Sequence, residues 1–177
     1  MPVSFHKESI SFRLSGARVL KQWVKQVVES KDKTLGEVSY IFCSDEYLLQ
    51  INQEHLQHDY YTDIITFDYT EGNTISGDLF ISIDRVKENA QTEGVDFDTE
   101  LRRVMIHGVL HLLGYKDKKK DDQKLMRETE NQSLMLFNDL NVPRGTELPG
   151  RDVRASPPPA NAPTRGPSGN RARGVVR

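Results

Sequence analysis

Residues 104–113 read VMIHGVLHLL, and the only polar side chains in that run are His107 and His111. A helix that is apolar on nearly every side is a core helix. The fold must therefore cover this segment all round. Positions i and i+4 share one helix face, with Cβ atoms about 6 Å apart. The run thus stacks two imidazoles inside a core, where a polar group without a partner is costly. Two kinds of partner would satisfy them. Backbone or carboxylate groups would make them hydrogen-bonded core histidines. A divalent cation would take a lone pair from each, because neutral imidazole is a good zinc ligand.

The flanking residues favour the cation. Gly108 sits mid-helix, where glycine costs about 1 kcal/mol against alanine, so packing or access must require it. Gly114 directly follows Leu113 and is a natural helix-ending residue. A chain that turns there can bring Asp117 back over the histidine face. The pattern His-x₃-His-x₂-Gly-x₂-Asp predicts one divalent ion, zinc by ligand type, held by His107, His111 and Asp117. Asp121 and Asp122 are the next candidates for the third ligand. Metzincin proteases share the spacing but carry Glu after the first His as general base. Gly108 stands there in this chain, so a zinc metalloprotease is a minor alternative.

The chain has 177 residues, 36% of them hydrophobic and 28% charged, as expected of one soluble globular domain with a sizeable core. No apolar run is long enough for a membrane span, and the N-terminus lacks the pattern of a secretory signal. Cys43 is the sole cysteine, which excludes an internal disulfide and points to a buried thiol and a cytoplasmic location. Charge is uneven along the chain. Residues 141–177 hold seven arginines against Glu147 and Asp152, a balance of +5 that leaves −7 for residues 1–140 out of a total of −2. The main body does not advertise a nucleic-acid surface, although Lys118–Lys120 form a local basic run. The tail is rich in Pro, Gly, Ala and Arg, without apolar periodicity to offset its ordering entropy. A folded domain is expected over residues 1–142 and a disordered tail over 143–177. That tail is either a solvated extension or an arm that contacts RNA.

Strand and helix signals alternate within the domain. Val3–Phe5 and Ile10–Phe12 predict a strand interrupted at Lys7–Ser9. Leu20, Trp23, Val24, Val27 and Val28 keep helical spacing behind Ser15, a candidate cap. Val38–Cys43 predicts a strand, and a helix follows from Asp45 to about His55. Ile65, Phe67 and Tyr69 alternate, as do Leu79, Ile81 and Ile83, with Glu71–Gly72–Asn73 as a hairpin turn between them. Asp84 is a candidate cap for a helix ending at Gly94, and Asp98 or Thr99 for the histidine helix. Leu125, Thr129, Ser133, Leu136, Phe137 and Leu140 mark a last helix. The expectation is an α/β (α+β) domain: a central mixed four-stranded sheet, about five helices and a metal site on a buried helix.

The string His107-Gly108-Val109-Leu110-His111-Leu112-Leu113-Gly114-Tyr115 resembles the signature of the YbeY family of metal-dependent endoribonucleases. Thr62-Asp63-Ile64-Ile65-Thr66-Phe67 is similar to the family's Thr-Asp-Val-Leu-Ser-Phe segment, and Gly77-Asp78-Leu79 to its Gly-Asp-Ile strand. Ile51-Asn52 resembles its Leu-Asn pair. The resemblance covers about residues 1–140. It implies a single-strand-directed endoribonuclease acting in ribosomal RNA maturation and ribosome quality control. The implied partners are ribosomal RNA and the small ribosomal subunit, with no membrane. The sequence departs from the family pattern in two places. Lys116 and Asp117 stand where most members continue Asp-His, the His being their third ligand, and Leu56 stands where many carry arginine. Thr62, Asp63, Asp78 and Lys116 are candidates for supporting the ligands or touching substrate, and no catalytic group is assigned. The competing reading is a non-catalytic ribosome assembly factor whose metal staples the last two helices together.

Overall fold

A computed structural model describes residues 2–141 and 174–176. The elements run β1 (Val3–Glu8), α1 (Ala17–Glu29), β2 (Thr34–Cys43), α2 (Asp45–Leu56), β3 (Ile64–Asp68), β4 (Thr74–Ser82), α3 (Ile83–Glu93), α4 (Phe97–Leu112), α5 (Lys120–Leu140) and β5 (Gly174–Val176). Strands β1 to β4 form the expected mixed sheet. β1 and β4 flank β2 in parallel, and β3 pairs antiparallel with β4, Ile64 opposite Ile81 and Asp68 opposite Gly77. A short fifth strand, β5, lies parallel to β3 on the outer edge. It falls within the segment expected to be disordered; residues 143–173 and 177, the rest of that segment, lie outside the described residues, as does Val142.

Alternation along the strands divides the apolar residues between two faces. Val38, Tyr40, Phe42, Ile64, Ile75, Leu79 and Ile81 join the large core beneath α1, α4 and α5. Cys43, Ile65, Phe67 and Phe80 face the other way and pack with Leu48, Ile51 and Leu56 of α2. Cys43 is fully buried. Burial, with Asp45, Asp84 and Glu8 nearby, pushes its thiol up to about 12, so the chemistry of this cysteine is packing.

Helix α4 spans the middle of the large core, with every residue from Val104 to Leu110 buried. Gly108 lets it approach the sheet closely, because a Cβ there would meet Ile64 Cδ1 at 2.8 Å and Leu79 Cδ2 at 2.9 Å. Gly77 does the same from the sheet side. A Cβ at Gly77 would stand 2.6 Å from Phe67 O and 2.9 Å from Leu112 Cδ2. The carbonyl belongs to the paired strand and cannot swing aside as a side chain can. Gly77→Ala is therefore expected to lower unfolding free energy by about 1–3 kcal/mol. Urea denaturation checks this, and an unchanged midpoint would show that the hairpin yields freely.

Several element boundaries differ from the sequence expectation for local reasons. β1 ends at Glu8 because Ser9 adopts a left-handed φ of 55°, so Ile10 and Phe12 pack against the core outside the sheet. Gly16, not Ser15, precedes α1, with no side-chain cap. Ile83 starts α3 rather than ending β4, and Ser82 Oγ caps α3 by accepting from Arg85 N at 3.1 Å. Asp84 serves α2 instead, accepting from Asp45 N at 2.9 Å. The cap of α4 is Asp96, which accepts from Thr99 N at 2.7 Å. Helix α5 begins earlier than expected, at Lys120, and its buried stripe is Met126, Thr129, Glu130, Ser133 and Phe137, with Leu125 exposed.

Candidate metal centre

The end of α4 explains how Asp117 reaches the histidines. Gly114 takes a left-handed φ of 98°. Its N–H donates to His111 O at 3.0 Å, and the Tyr115 N–H donates to Leu110 O at 2.9 Å. This is the glycine-terminated reversal that satisfies the last helical carbonyls. The chain then folds back, and Asp117 Oδ2 comes to 3.2 Å from His107 Nε2 and 3.3 Å from His111 Nε2. The two Nε2 atoms are 2.8 Å apart. His107 is buried, His111 nearly so, and Asp117 is the most open of the three.

The far side of each ring decides what the near side can do. His111 Nδ1 lies 3.0 Å from Tyr115 O, which can only accept, so that nitrogen carries the hydrogen. His107 Nδ1 lies 2.9 Å from Glu130 Oε2 and donates to it. The tautomers are assigned from these partners. Each neutral ring then presents a bare lone pair at Nε2, aimed at the other and at a carboxylate oxygen. Three electron-pair donors converge without a hydrogen among them. That arrangement fits a divalent cation, whose ligand atoms stand roughly 3.3 Å apart around a tetrahedral zinc. His107, His111 and Asp117 are the cluster of donor residues able to hold an ion among the described residues.

Glu130 is the site residue that sequence reasoning missed. Its carboxylate joins His107 to Arg103, whose Nη1 lies 3.2 Å from Oε1, and the side chain is 3% exposed. Arg103 also donates to Asn131 Oδ1 at 2.9 Å. The signal was an acid four residues beyond Met126 and seven before Phe137, on the buried stripe of α5. A buried carboxylate demands a partner.

The other predicted residues disperse. Lys116 lines a cleft of about 870 Å³ that includes His111 and Asp117. Asp122 also lines it, but neither Asp122 nor Asp121 is among the three converging donors. Thr62 and Asp63 are buried where the chain enters β3, and Asp63 accepts from Asn89 Nδ2 at 3.2 Å. Asp78 alternates with Gly77 and Leu79 and so faces away from α4, lining a different depression with Ser39 and Tyr69. Leu56 packs into the small cluster beneath α2.

Comparison with known proteins agrees with the reading of the motif. The family model described as endoribonuclease YbeY matches residues 4–138. The chain belongs to the endoribonuclease YbeY family. An endoribonuclease YbeY of Parabacteroides distasonis is 50% identical over 137 residues, covering 77% of this chain and 96% of that protein. One of Flavobacterium psychrophilum is 52% identical over 136 residues, again 77% of this chain and 96% of its own length. A solution structure of a Thermotoga maritima protein superposes with a TM-score of 0.57 at 24% identity, over 82% of this chain and 99% of its own, which establishes likeness of fold. The YbeY match thus covers β1 through almost all of α5 and stops short of the arginine-rich tail.

Proposed function

We propose that this chain is a metal-dependent endoribonuclease that cuts single-stranded RNA and acts on ribosomal RNA as the small ribosomal subunit matures in the cytoplasm. His107, His111 and Asp117 hold one zinc ion in this reading. Membership of the endoribonuclease YbeY family supports the reaction. The observation that carries the site is the meeting of two Nε2 atoms and a carboxylate oxygen beside an open cleft. When bound, the ion supplies Lewis acidity to the phosphodiester. The chain's own residues do the rest. Glu130 and Tyr115 O keep the hydrogens on the outer nitrogens, and Asp117 places one negative charge in the donor set. The cleft gives an extended substrate access to the ligands. Gly108 leaves no general base beside His107, which disfavours the protease reading.

The catalytic domain in this reading spans residues 1–142, and residues 143–177 are an appended arginine-rich segment, either a solvated extension or an arm that contacts RNA, with Gly174–Val176 paired to β3. The end of the family match at residue 138 and the concentration of arginine beyond it support that division. The lone buried cysteine suits a reducing cytoplasm.

The test uses the purified full-length chain, a single-stranded oligonucleotide from small-subunit ribosomal RNA, and the same sequence as a duplex. Cleavage of the single strand is expected, abolished by a chelator and restored by Zn²⁺. Absence of cleavage by metal-loaded protein, or equal rates with and without chelator, would reject the reading.

A further inference from the structure

We propose that Lys33, Lys116, Lys118 and Lys119 form the wall that grips the phosphates of the single-stranded RNA; this rests on the endoribonuclease reading above. The four lysines come from two distant parts of the sequence. Lys33 lies in the turn between α1 and β2, and the others follow the helix-ending Gly114. The fold brings both groups to the cleft that His111 and Asp117 line. None of the four forms an ion pair with a carboxylate among the described residues.

The first side of this wall is held in place. Lys33 Nζ donates to Asn73 Oδ1 at 2.9 Å, a neutral partner that positions the ammonium without cancelling its charge. Lys31 sits over the ring of Tyr115 at 5.8 Å, linking the same turn to the segment that carries Lys116. The cleft also contains Asp68, Asp117 and Asp122. A divalent ion on Asp117 offsets that carboxylate, leaving four cations against two acids. This local excess matters because residues 1–140 as a whole carry −7, given +5 in residues 141–177 and −2 in total. The domain as a whole carries net negative charge, so a positive cleft on an acidic body directs the strand to the ligands. Lysine is a point charge without the planar fork of arginine, which suits contact with a backbone irrespective of base sequence.

The experiment measures binding of a single-stranded RNA with 2′-O-methyl sugars, which resists cleavage, to the full-length chain across a salt series. The variants are Lys33→Gln and the pair Lys118→Gln/Lys119→Gln, with Lys87→Gln on α3 as a control outside the cleft. Each cleft lysine that contacts a phosphate should, when replaced, flatten the slope of log affinity against log salt by about 0.7. It should also weaken binding by a similar factor on unrelated RNA sequences. With cleavable RNA, KM should rise by a larger factor than kcat falls. Melting temperature and bound metal should match wild type, and Lys87→Gln should leave the slope unchanged. Unchanged slope and KM in both cleft variants, with wild type cleaving RNA, would overturn the lysine wall alone. A wild type that cuts no RNA would overturn the endoribonuclease reading and this inference with it.

Discussion

Replacing His107 and His111 together with alanine is expected to leave the protein essentially free of bound divalent metal. Each ring supplies one of three converging donors, and Asp117 alone remains in the double variant. Substituting a partner that merely orients a ligand costs about 10–100-fold in metal affinity, so removing a ligand should cost at least about 100-fold. Either single variant should therefore lose most of its ion during dialysis against a weak chelator. Stability should fall as well, because His107→Ala takes away the imidazole that donates to the buried Glu130 carboxylate. A buried acceptor left without its donor costs about 1–3 kcal/mol. Elemental analysis of the dialysed proteins reads the first effect, and urea denaturation the second. Full occupancy in the double variant would mean that the ion sits elsewhere.

Glu130→Gln and Glu130→Ala should separate positioning from packing. Both remove the negative charge between His107 and Arg103. The glutamine variant retains an acceptor oxygen, whereas alanine leaves the Arg103 guanidinium, 12% exposed, without its carboxylate. Breaking one side of a buried pair typically costs 3–5 kcal/mol, and Glu130→Ala should lose about that much. Glu130→Gln should lose less stability yet still bind zinc about 10–100-fold more weakly, because an amide neither fixes the His107 tautomer as firmly nor raises its basicity. Competition against a chromophoric chelator measures the affinity directly, without reference to turnover. If Glu130→Gln binds zinc as wild type does, Glu130 is a structural partner of Arg103 only. Adding Arg103→Met to Glu130→Ala should then recover part of the stability, since the unpaired cation is gone.

The histidine helix was legible because its signals are local. An apolar run with two histidines at i and i+4, closed by glycine, fixes its own burial and the stacking of its rings. Asp117 was legible for the same reason: the glycine reversal at the end of α4 occupies only a few residues. Strand alternation likewise revealed β3 and β4 and the hairpin at Gly72, and the apolar run Val38–Cys43 revealed β2. Expectations failed where several neighbouring residues could do one task. Ser82, Asp84, Asp96, Asp98 and Thr99 are all competent caps. Which of them caps depends on where the preceding strand or loop releases the chain, and Asp84 was taken by a different helix altogether.

The amino-acid sequence by itself determined that two imidazoles and a carboxylate would meet at the end of a buried helix, because short-range geometry and the cost of burying unpartnered polar groups allow little else. Only the tertiary structure decided what stands behind and around them. Glu130 reaches His107 from a separate helix, and the register between α4 and α5 comes from packing against α1 and the sheet. Asp78 was turned away from the site by strand alternation once β4 paired with β2. Lys33 joined the cleft because the β2–β4 register sets the α1–β2 turn beside Asn73. Contacts of this kind span tens of residues along the chain, and no periodicity within a single segment encodes them. They follow from many weak packing interactions satisfied together, which is why they appear only when the whole core is assembled.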